Sequence, residues 1–356
     1  MKKFQILLIV IPLLYWVGCG DNEDEDNVGN PVIPGRTIYI VGSDDDGACY
    51  WVNGSRVELP GGDWATDIVV VDGDVYTSGT CGETACYWIN QERFDLPGFW
   101  GEGEAIAVDG DDVYVAGWFD NGSCYWKNGQ KTNLTTNGDS QAFAIGIRNN
   151  GDVFVGGYYV NNHHYVIPCY WKNGNNRSNL PVPTHGDGEV YDITFDEAGN
   201  MRYYAGYTMK PDNLTGYAPK ACRWRHTVRT DLPDGTSDIS LYGTGSYGIT
   251  IDGGDIYVAG YTDWIGDTND DYSGGTYPRY WKNNKAHDLE GGPHDGNFGT
   301  GQANDIRFAD GNLVVVGMAT GGPTGESACY WLNGELNYLE DVIGEGSSEA
   351  KGVFIE

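Results

Sequence analysis

Positive charge is scarce in this chain of 356 residues. Only 21 Lys and Arg stand against 51 Asp and Glu, which gives a formal net charge of −30. Proteins that bind nucleic acid need basic patches to displace counterions from the phosphates, so we expect no nucleic-acid partner. The chain also lacks long stretches of helical period, and its 54 Gly, 25 Tyr and 12 Trp favour a turn-rich all-β protein.

Long apolar runs are equally scarce, and the one that exists lies at the N-terminus. Two lysines, this apolar run and a group of small residues precede Cys19, which is the layout of a secretory signal. The run has about fifteen residues, and a stable membrane span needs about twenty. Val17, Gly18 and Cys19 resemble a lipobox, in which the cysteine becomes the lipidated first residue of the mature protein. Trp16 departs from the leucine usual in that pattern, and an ordinary signal peptide is the alternative.

The segment after Cys19, "GDNEDEDNVGNPVIPG", is acidic and rich in Gly, Asn and Pro. It has too little apolar content to fold, so we assign residues 1–18 to the signal peptide and residues 19–36 to a flexible tether. An acidic cluster behind a lipobox resembles the export signal of surface lipoproteins in Bacteroidota, and a merely solvating linker is the alternative. The resemblance implies a lipid anchor at Cys19 in the outer membrane. The protein would then face the cell exterior and contact the membrane through its lipid alone.

One unit is repeated seven times after the tether. Each copy has a strand such as "CYWVNG" or "CYWKNG", and the tryptophans of these strands are Trp51, Trp88, Trp126, Trp171, Trp224, Trp281 and Trp331. An apolar strand that ends in glycine, such as "VYVAG", precedes it, and a short segment that ends in leucine follows it. A strand such as "EAIAVDGD" completes the unit. The Asn-Gly and Asp-Gly pairs supply the positive φ angles that tight hairpins need.

Four short strands cannot bury a core alone, so the copies must stack on one another. Seven four-stranded units stacked radially predict an all-β, seven-bladed β-propeller over residues 37–356. The first copy has no "EAIAVDGD"-type strand before it, and the chain ends on a copy of that strand, "GVFIE". We therefore expect residues 350–356 to pair beside residues 37–42 and to close the ring, which leaves few exposed strand edges.

The repeat text resembles extracellular β-propeller repeats of bacteria. "GGDIYVAGYT" is similar to the Gly-Asn-x-Tyr-Val-x-Gly type of repeat. "ACYWVNG", followed by "ELP", is similar to the type in which a strand with an aromatic residue and tryptophan precedes a leucine. The resemblance covers residues 37–356. It implies the fold and says little about chemistry, since such folds host many functions.

Cysteine recurs beside the tryptophan. Because side chains alternate along a strand, the cysteine and tryptophan of a repeat should face one neighbouring blade and the intervening residue the other. Neighbouring blades are about 10 Å apart and a disulfide needs Cα atoms within about 7 Å, so free thiols are expected at the six repeat cysteines. These are Cys49, Cys86, Cys124, Cys169, Cys222 and Cys329. Cys81 is additional, and a local disulfide with Cys86 is one alternative for it; zinc is disfavoured because no CxxC pairs occur.

Loops of variable length are expected at one end of the blades. Strand direction places the loops between second and third strands, and those between blades, on this face, and the longest belong to blades four to six. Because loops on a rigid scaffold commonly carry function, this long-loop face is the predicted ligand-binding face. Aromatic side chains suit stacking on sugar rings, although packing inward is the structural alternative. The predicted ligand-binding residues in these loops are Trp64, Trp100, Trp118, Trp264, Tyr158, Tyr207, Tyr217 and Tyr261.

The sequence contains few indications of catalysis or metal binding. His163, His164 and His185 are weak candidates for a metal site, and residues 267–273 show part of a calcium-loop pattern without its glycine and glutamate. We favour solvated loops at both places, with no metal and no cofactor, and no nucleophile motif is present. The sequence thus favours a monomer that binds an extracellular glycan or protein ligand without catalysis. The alternatives are a polysaccharide lyase or glycoside hydrolase that uses the same face, and a scaffold for outer-membrane protein assembly.

Overall fold

A computed structural model describes residues 33–120, 122–135, 139–183, 186–212, 216–234, 240–265, 274–292, 300–322, 325–340 and 347–356. Within these ranges the regular structure is 28 β-strands in seven four-stranded antiparallel sheets. This confirms the predicted seven-bladed β-propeller. No helix in these ranges is long and apolar enough to cross a membrane.

The strands are numbered in chain order. The first fourteen are β1 (Ile38–Asp44), β2 (Gly47–Val52), β3 (Ser55–Glu58), β4 (Trp64–Val71), β5 (Asp74–Cys81), β6 (Thr84–Ile89), β7 (Glu92–Asp95), β8 (Gly101–Asp109), β9 (Asp112–Phe119), β10 (Gly122–Lys127), β11 (Gln130–Asn133), β12 (Ser140–Ile147), β13 (Val153–Val160) and β14 (Val166–Lys172). The others are β15 (Asn176–Asn179), β16 (Gly188–Phe195), β17 (Arg202–Asp212), β18 (Gly216–Arg225), β19 (Val228–Asp231), β20 (Ser240–Asp252), β21 (Asp255–Ile265), β22 (Gly274–Lys282), β23 (Lys285–Asp288), β24 (Gly301–Ala309), β25 (Asn312–Gly322), β26 (Gly325–Leu332), β27 (Glu335–Tyr338) and β28 (Glu349–Ile355).

Blade one consists of β28, β1, β2 and β3, and blades two to seven take the strands from β4 to β27 in consecutive groups of four. The first strand of each blade contacts the first strands of both neighbouring blades, so these seven strands surround a central channel. The ring closes as predicted. Strand β28 pairs antiparallel with β1, from Ile38 opposite Ile355 to Ser43 opposite Glu349. Ile33, within the predicted tether, is 2% exposed and packs into the core between blades seven and one.

Each blade-to-blade boundary has its own hydrophobic core, and the seven cores together complete the ring. Cys49 and Trp51 pack against blade seven, where they meet Tyr330, whereas Tyr50 packs against blade two beside Trp88. This confirms the predicted alternation of faces. The repeat tryptophans therefore belong to the scaffold, and all seven are at most 1% exposed.

The buried tryptophans also hydrogen-bond across the blade boundaries. In six of the seven, the indole Nε1 donates to the carbonyl oxygen that follows the repeat leucine of the preceding blade. Trp224 donates to Pro181 O at 2.9 Å in this way. Within the described residues, the Nε1 of Trp171 has no acceptor. The leucine that ends each repeat thus has two effects: it fills the core, and it places a carbonyl oxygen for the next blade's indole.

The hairpin after each tryptophan is held by its asparagine. Asn53 and Gly54 have φ angles of 48° and 85°, as the Asn-Gly pair predicts. The Asn53 Oδ1 also accepts from the backbone N of Ile38 at 2.9 Å, so the side chain joins the turn between β2 and β3 to the start of β1. Equivalent bonds occur in six of the seven blades. Blade five has His226 at this place, with a φ of 53°.

Two of the predicted long loops are largely strand. Residues 207–212 and 216–221 belong to β17 and β18, and much of 261–278 belongs to β21 and β22. The hairpins extend because pairing continues past the repeat glycine, for example between Thr208 and Lys220. The face is therefore built on rigid hairpins to a greater extent than the sequence indicates.

The free-thiol prediction is wrong for Cys86, which forms a disulfide with Cys81. Gly79 pairs with Cys86 and Cys81 pairs with Thr84, so the residue two places after the repeat glycine lies diagonally beside the repeat cysteine. Blade two alone has a cysteine at that place. The other repeat cysteines are buried and form no disulfide. Burial raises the pKa of Cys124 and of Cys222 to about 12, which makes both thiols unreactive.

The indole bonds predict a difference between two tryptophan substitutions of the same kind. Trp224→Phe leaves the Pro181 carbonyl oxygen without its donor, whereas Trp171→Phe removes an indole N–H that has no acceptor among the described residues. Both variants lose similar packing, so we expect Trp224→Phe to be less stable than Trp171→Phe by about 1–2 kcal/mol. Urea denaturation of the two proteins measures this difference, and equal midpoints would contradict the assigned role of the bond.

Candidate functional site in the central channel

One side chain from each blade projects towards the channel. In every innermost strand the pairing register shifts by one residue or more near its middle, and a β-bulge residue stands at the shift. Bulges re-aim side chains, and here they turn them inward. The channel residues at these bulges are Thr66, Glu104, Phe143, Tyr191, Tyr247, Asn304 and Lys351, and they line a cavity of about 270 Å³.

The repeat glycines make these bulges possible. A Cβ at Gly206 would lie 2.0 Å from the carbonyl oxygen of Glu189, and one at Gly317 would lie 1.8 Å from that of Gln302. All seven glycines that end a "YVAG"-type strand have the same relation to the carbonyl two residues before the channel residue. Only glycine allows such a close backbone approach. The glycine, which is the same in all seven repeats, therefore supports the bulge position, whose residue differs most between blades.

Three aspartates join neighbouring blades around the channel. Asp67 Oδ1 accepts from the N of Ile68, and its Oδ2 accepts from the N of Ile106 in blade three at 2.9 Å. Asp192 and Asp305 make the same pair of bonds, to blades six and one. Space beside Asp305 requires Gly248 in blade six, where a Cβ would lie 2.8 Å from Asp305 Oδ1.

Arg307 lies among these carboxylates at the wall of the cavity. Its Nη1 donates to Asp305 Oδ1 at 2.7 Å and to the Ile306 carbonyl oxygen at 2.9 Å. Burial raises the pKa of Asp67 to about 6 and that of Asp192 to about 7, and it also raises the pKa of Asp305. The three aspartates therefore titrate well above the usual range for this residue.

The wall formed by blades four to six is aromatic. Phe143, Tyr191 and Tyr247 line the cavity on successive blades, with centroids 5.1 Å and 4.9 Å apart. An outer ring packs on each of them: Tyr158 on Phe143, Tyr207 on Tyr191 and Tyr261 on Tyr247. We call these six residues the aromatic arc.

A carboxylate fixes the middle of the aromatic arc. Glu189 accepts from the Tyr191 hydroxyl at 2.7 Å and from the Tyr207 hydroxyl at 3.0 Å, one bond to each of its oxygens. Gly245 is needed at the corresponding place in blade six, because a Cβ there would lie 2.4 Å from the Tyr261 ring. The rings are thus held in place by packing and by hydrogen bonds.

The opposite wall of the cavity is polar. Asn304 Nδ2 donates to Glu349 Oε1 at 2.8 Å, and Lys351 Nζ lies 2.7 Å from Glu349 Oε2. Glu104 lies beside Glu102, and burial followed by this neighbouring carboxylate raises the pKa of Glu104 to about 8. Glu104 is therefore a protonated acid at neutral pH, close enough to hydrogen-bond Glu102 and the Trp118 indole.

The eight predicted ligand-binding residues do not form a single cluster. Tyr158, Tyr207 and Tyr261 form the outer part of the aromatic arc, and Trp118 lies beside Glu104 at the polar wall. Trp64 and Trp100 are 57% and 62% exposed, outside the cavity. The loop placement is wrong for seven of the eight residues, and Trp100 alone lies outside the strands. Trp64 begins β4, and the others lie in hairpins whose pairing extends past the repeat glycine. Tyr217 is 44% exposed in β18, outside the aromatic arc.

The exposed tryptophans flank the disulfide hairpin. Trp64 pairs with Thr80 on one side of it, and the backbone N of Trp100 donates to the Glu83 carbonyl oxygen at 2.8 Å on the other. Phe99, next to Trp100, is 71% exposed. We call Trp64, Phe99 and Trp100 the outer platform. The disulfide crosslinks the hairpin between its two halves.

The weak metal candidates gain no geometric support from the described residues, which contain no cluster of three His, Cys, Asp or Glu able to hold a metal ion. His163 and His164 are exposed in the turn between β13 and β14. His185 and residues 267–273 lie outside the described residues, as does Cys19.

The inner channel residues are absent from the sequence prediction. Phe143, Tyr191, Tyr247, Glu104 and Arg307 sit in the least conspicuous strand of the repeat. The sequence does contain a signal. Aligned as "TDIV", "EAIA", "FAIG", "YDIT", "YGIT", "NDIR" and "KGVF", these strands share an apolar third residue, and their first residues are of six different types. Propeller topology places that first residue at the channel.

Comparison with known proteins assigns the chain to no family. No protein-family model and no curated protein matches the chain. Among solved structures, the tricorn protease is 12% identical with a TM-score of 0.49. The match covers 90% of the present chain and 36% of the tricorn protease chain. The β-propeller domain of the Trilobed protease from Pyrococcus furiosus is 9% identical with a TM-score of 0.48. This match covers 87% of the present chain and 93% of that domain.

The extracellular domain of BT4673 from B. thetaiotaomicron is 12% identical with a TM-score of 0.44. The match covers 79% of this chain, which spans only 37% of that structure's length. Similarity at this level is not informative about ligand or activity.

The channel aspartates predict an unusual dependence of stability on pH. Their pKa is raised in the folded state, so between about pH 4 and pH 7 these three carboxyl groups bind more protons in the folded protein than in the unfolded chain. Their contribution to stability is present at low pH and is lost as the pH rises through their folded pKa. Hydrogen bonds from Lys127 and Asn128 lower the pKa of the surface carboxylate Asp112. Carboxylates of this kind make the protein more stable as the pH rises, but only below about pH 4.

We therefore expect a higher melting temperature at pH 5 than at pH 7.5, by about 2 °C or more. Asp192→Asn should reduce this difference, because it removes one of the titrating groups. Asp109→Asn, at the exposed end of β8, is the control for the change in net charge and should leave this melting-temperature difference unchanged. A melting temperature that rises between pH 5 and pH 7.5 would contradict the account.

Proposed function

We propose that this protein is a lipid-anchored, surface-exposed propeller that binds a glycan without catalysis, and that the glycan enters the channel from the long-loop face. The observation that carries the proposal is the division of the cavity into an aromatic wall and a polar wall. A sugar ring has an apolar C–H face and a rim of hydroxyls, so it matches a site with these two sides.

The outer platform extends this surface beyond the cavity. Trp64, Phe99 and Trp100 expose large apolar rings to solvent on the two sides of the disulfide hairpin, and grouped exposed apolar side chains often mark interaction sites. Sugar units that follow the one in the channel would stack on such rings. The lipid anchor at Cys19, the outer-membrane location and the monomeric state rest on the sequence pattern alone and are part of the proposal.

One observation favours the enzyme alternative. Glu104 faces the cavity, and burial followed by the neighbouring Glu102 raises the pKa of its carboxyl group to about 8, which favours the protonated form at neutral pH. A carboxyl group in this state can act as a general acid in glycan cleavage. The alternative predicts product formation, which binding alone does not.

A glycan array tests the proposal. We expect the protein to bind at least one glycan class, and Trp118→Ala and Trp100→Ala each to weaken binding about ten-fold, or about 1.4 kcal/mol. Val228→Ala, at an exposed apolar residue on the opposite hairpin end, should leave binding unchanged.

The bound glycan should be recovered at its original length after incubation with the protein, as measured by mass spectrometry. Shorter or unsaturated products that disappear in Glu104→Gln would establish the enzyme alternative. An array with no signal would refute glycan binding.

A further inference from the structure

The channel mouth carries an excess of negative charge over positive charge. The three aspartates line the cavity, and Glu102, Glu189 and Glu349 lie beside residues that line it. Burial, and to a smaller extent the nearby Asp263 carboxylate, raises the pKa of Tyr247 and Tyr261. Arg307 and Lys351 are the only basic side chains among the cavity-lining residues of the described structure. Both are already paired, with Asp305 and Glu349. Charge complementarity therefore favours a cationic ligand.

The aromatic arc adds a second and independent feature. Eight pairs in the described structure place a Lys or Arg over an aromatic ring, on Tyr114, Phe119, Phe154, Tyr159, Tyr170, Tyr203 and Tyr257. None of these rings belongs to the aromatic arc. The chain thus places its own cations over many of its tyrosines and phenylalanines, but over none of the six beside the cavity.

The hydroxyl bonds of the aromatic arc favour the same ligand. Tyr191 and Tyr207 both donate to Glu189, and a phenol that donates to a carboxylate is polarised towards a more electron-rich ring. An electron-rich ring face attracts organic cations, and recognition of quaternary ammonium groups by several rings together is an established use of this attraction.

We propose that the aromatic arc binds an organic ammonium group, with Phe143, Tyr191 and Tyr247 against the cation and Glu189 balancing its charge. The cavity of about 270 Å³ is near the lower end of ligand pockets, which begin at about 300 Å³, so it fits a single head group. The inference uses the same channel as the proposed glycan site and names the charge of its ligand. An amino sugar with a free amine would satisfy both.

The test uses choline and its uncharged isostere 3,3-dimethylbutan-1-ol, which have nearly the same shape. Isothermal titration of the full-length protein at low salt should show choline binding at least about ten-fold tighter than the alcohol. Phe143→Leu and Tyr191→Leu should each weaken choline binding about five-fold or more. Tyr165→Leu, an exposed tyrosine on the same face outside the aromatic arc, is the matched control and should bind as wild type.

Glu189→Gln keeps both tyrosine rings and removes the charge, so it should also weaken choline binding. Each variant is compared with wild type by its melting temperature, and Glu189→Gln serves as the test if a leucine variant is unfolded. Equal affinity for choline and the alcohol, or no binding of choline, would overturn the proposal.

Displacement of choline by calcium chloride at matched ionic strength, with no effect of the ring substitutions, would also overturn it, since a plain acidic site would then explain the binding. The two proposals fail separately. A neutral glycan on the array without choline binding refutes only the ammonium site, and choline binding without an array signal refutes only the glycan.

Discussion

The glycine at the end of each "YVAG"-type strand lies against a backbone carbonyl of the innermost strand, too close for any side chain. This contact lets the innermost strand carry a bulge at the same height in all seven blades. The bulge residue then leaves the blade surface and turns to the channel. Without the glycine, the channel would lose the side chains that line it, because a regular strand would direct them into the blade boundaries.

The scaffold and the site are therefore separated within each repeat. The tryptophan, leucine and asparagine of the repeat bind blade to blade and strand to strand, and they vary little along the chain. The bulge position is free to vary, from Thr66 to Lys351, because its side chain packs against no neighbouring blade core. Aspartates cross three of the blade boundaries at the channel, and Gly248 leaves the space that Asp305 needs. A chain built in this way can change its ligand without changing its fold.

Much of the fold can be predicted from the sequence because the same four-strand pattern occurs seven times in the chain. Alternation in "CYW" predicts which residues face which blade, and the Asn-Gly pair predicts the hairpin. The bulges do not follow, since a register shift depends on a close approach between strands that no single segment encodes. For the same reason the sequence identifies Tyr207 and Tyr261 but misses Tyr191 and Tyr247, which stack on them.

The Cys81–Cys86 disulfide shows what one more step of alignment adds. Its cysteines are diagonal neighbours because Cys81 lies two residues after the glycine that pairs with Cys86, a place at which blade two alone has a cysteine. The outer platform is different again. Exposure of Trp64 and Trp100 depends on the turns around the disulfide hairpin, which the repeat does not specify.

The role of the repeat glycines is tested most directly by the stability of the Gly206→Ala variant. A Cβ there would lie 2.0 Å from the Glu189 carbonyl oxygen, whereas a Cβ at Gly122 would find its nearest neighbour at 3.5 Å. Thermal unfolding should show Gly206→Ala melting about 5 °C or more below wild type, and Gly122→Ala should melt within about 1 °C of it. Equal melting temperatures for the two variants would contradict the claim that the repeat glycines hold the bulges on which the channel depends.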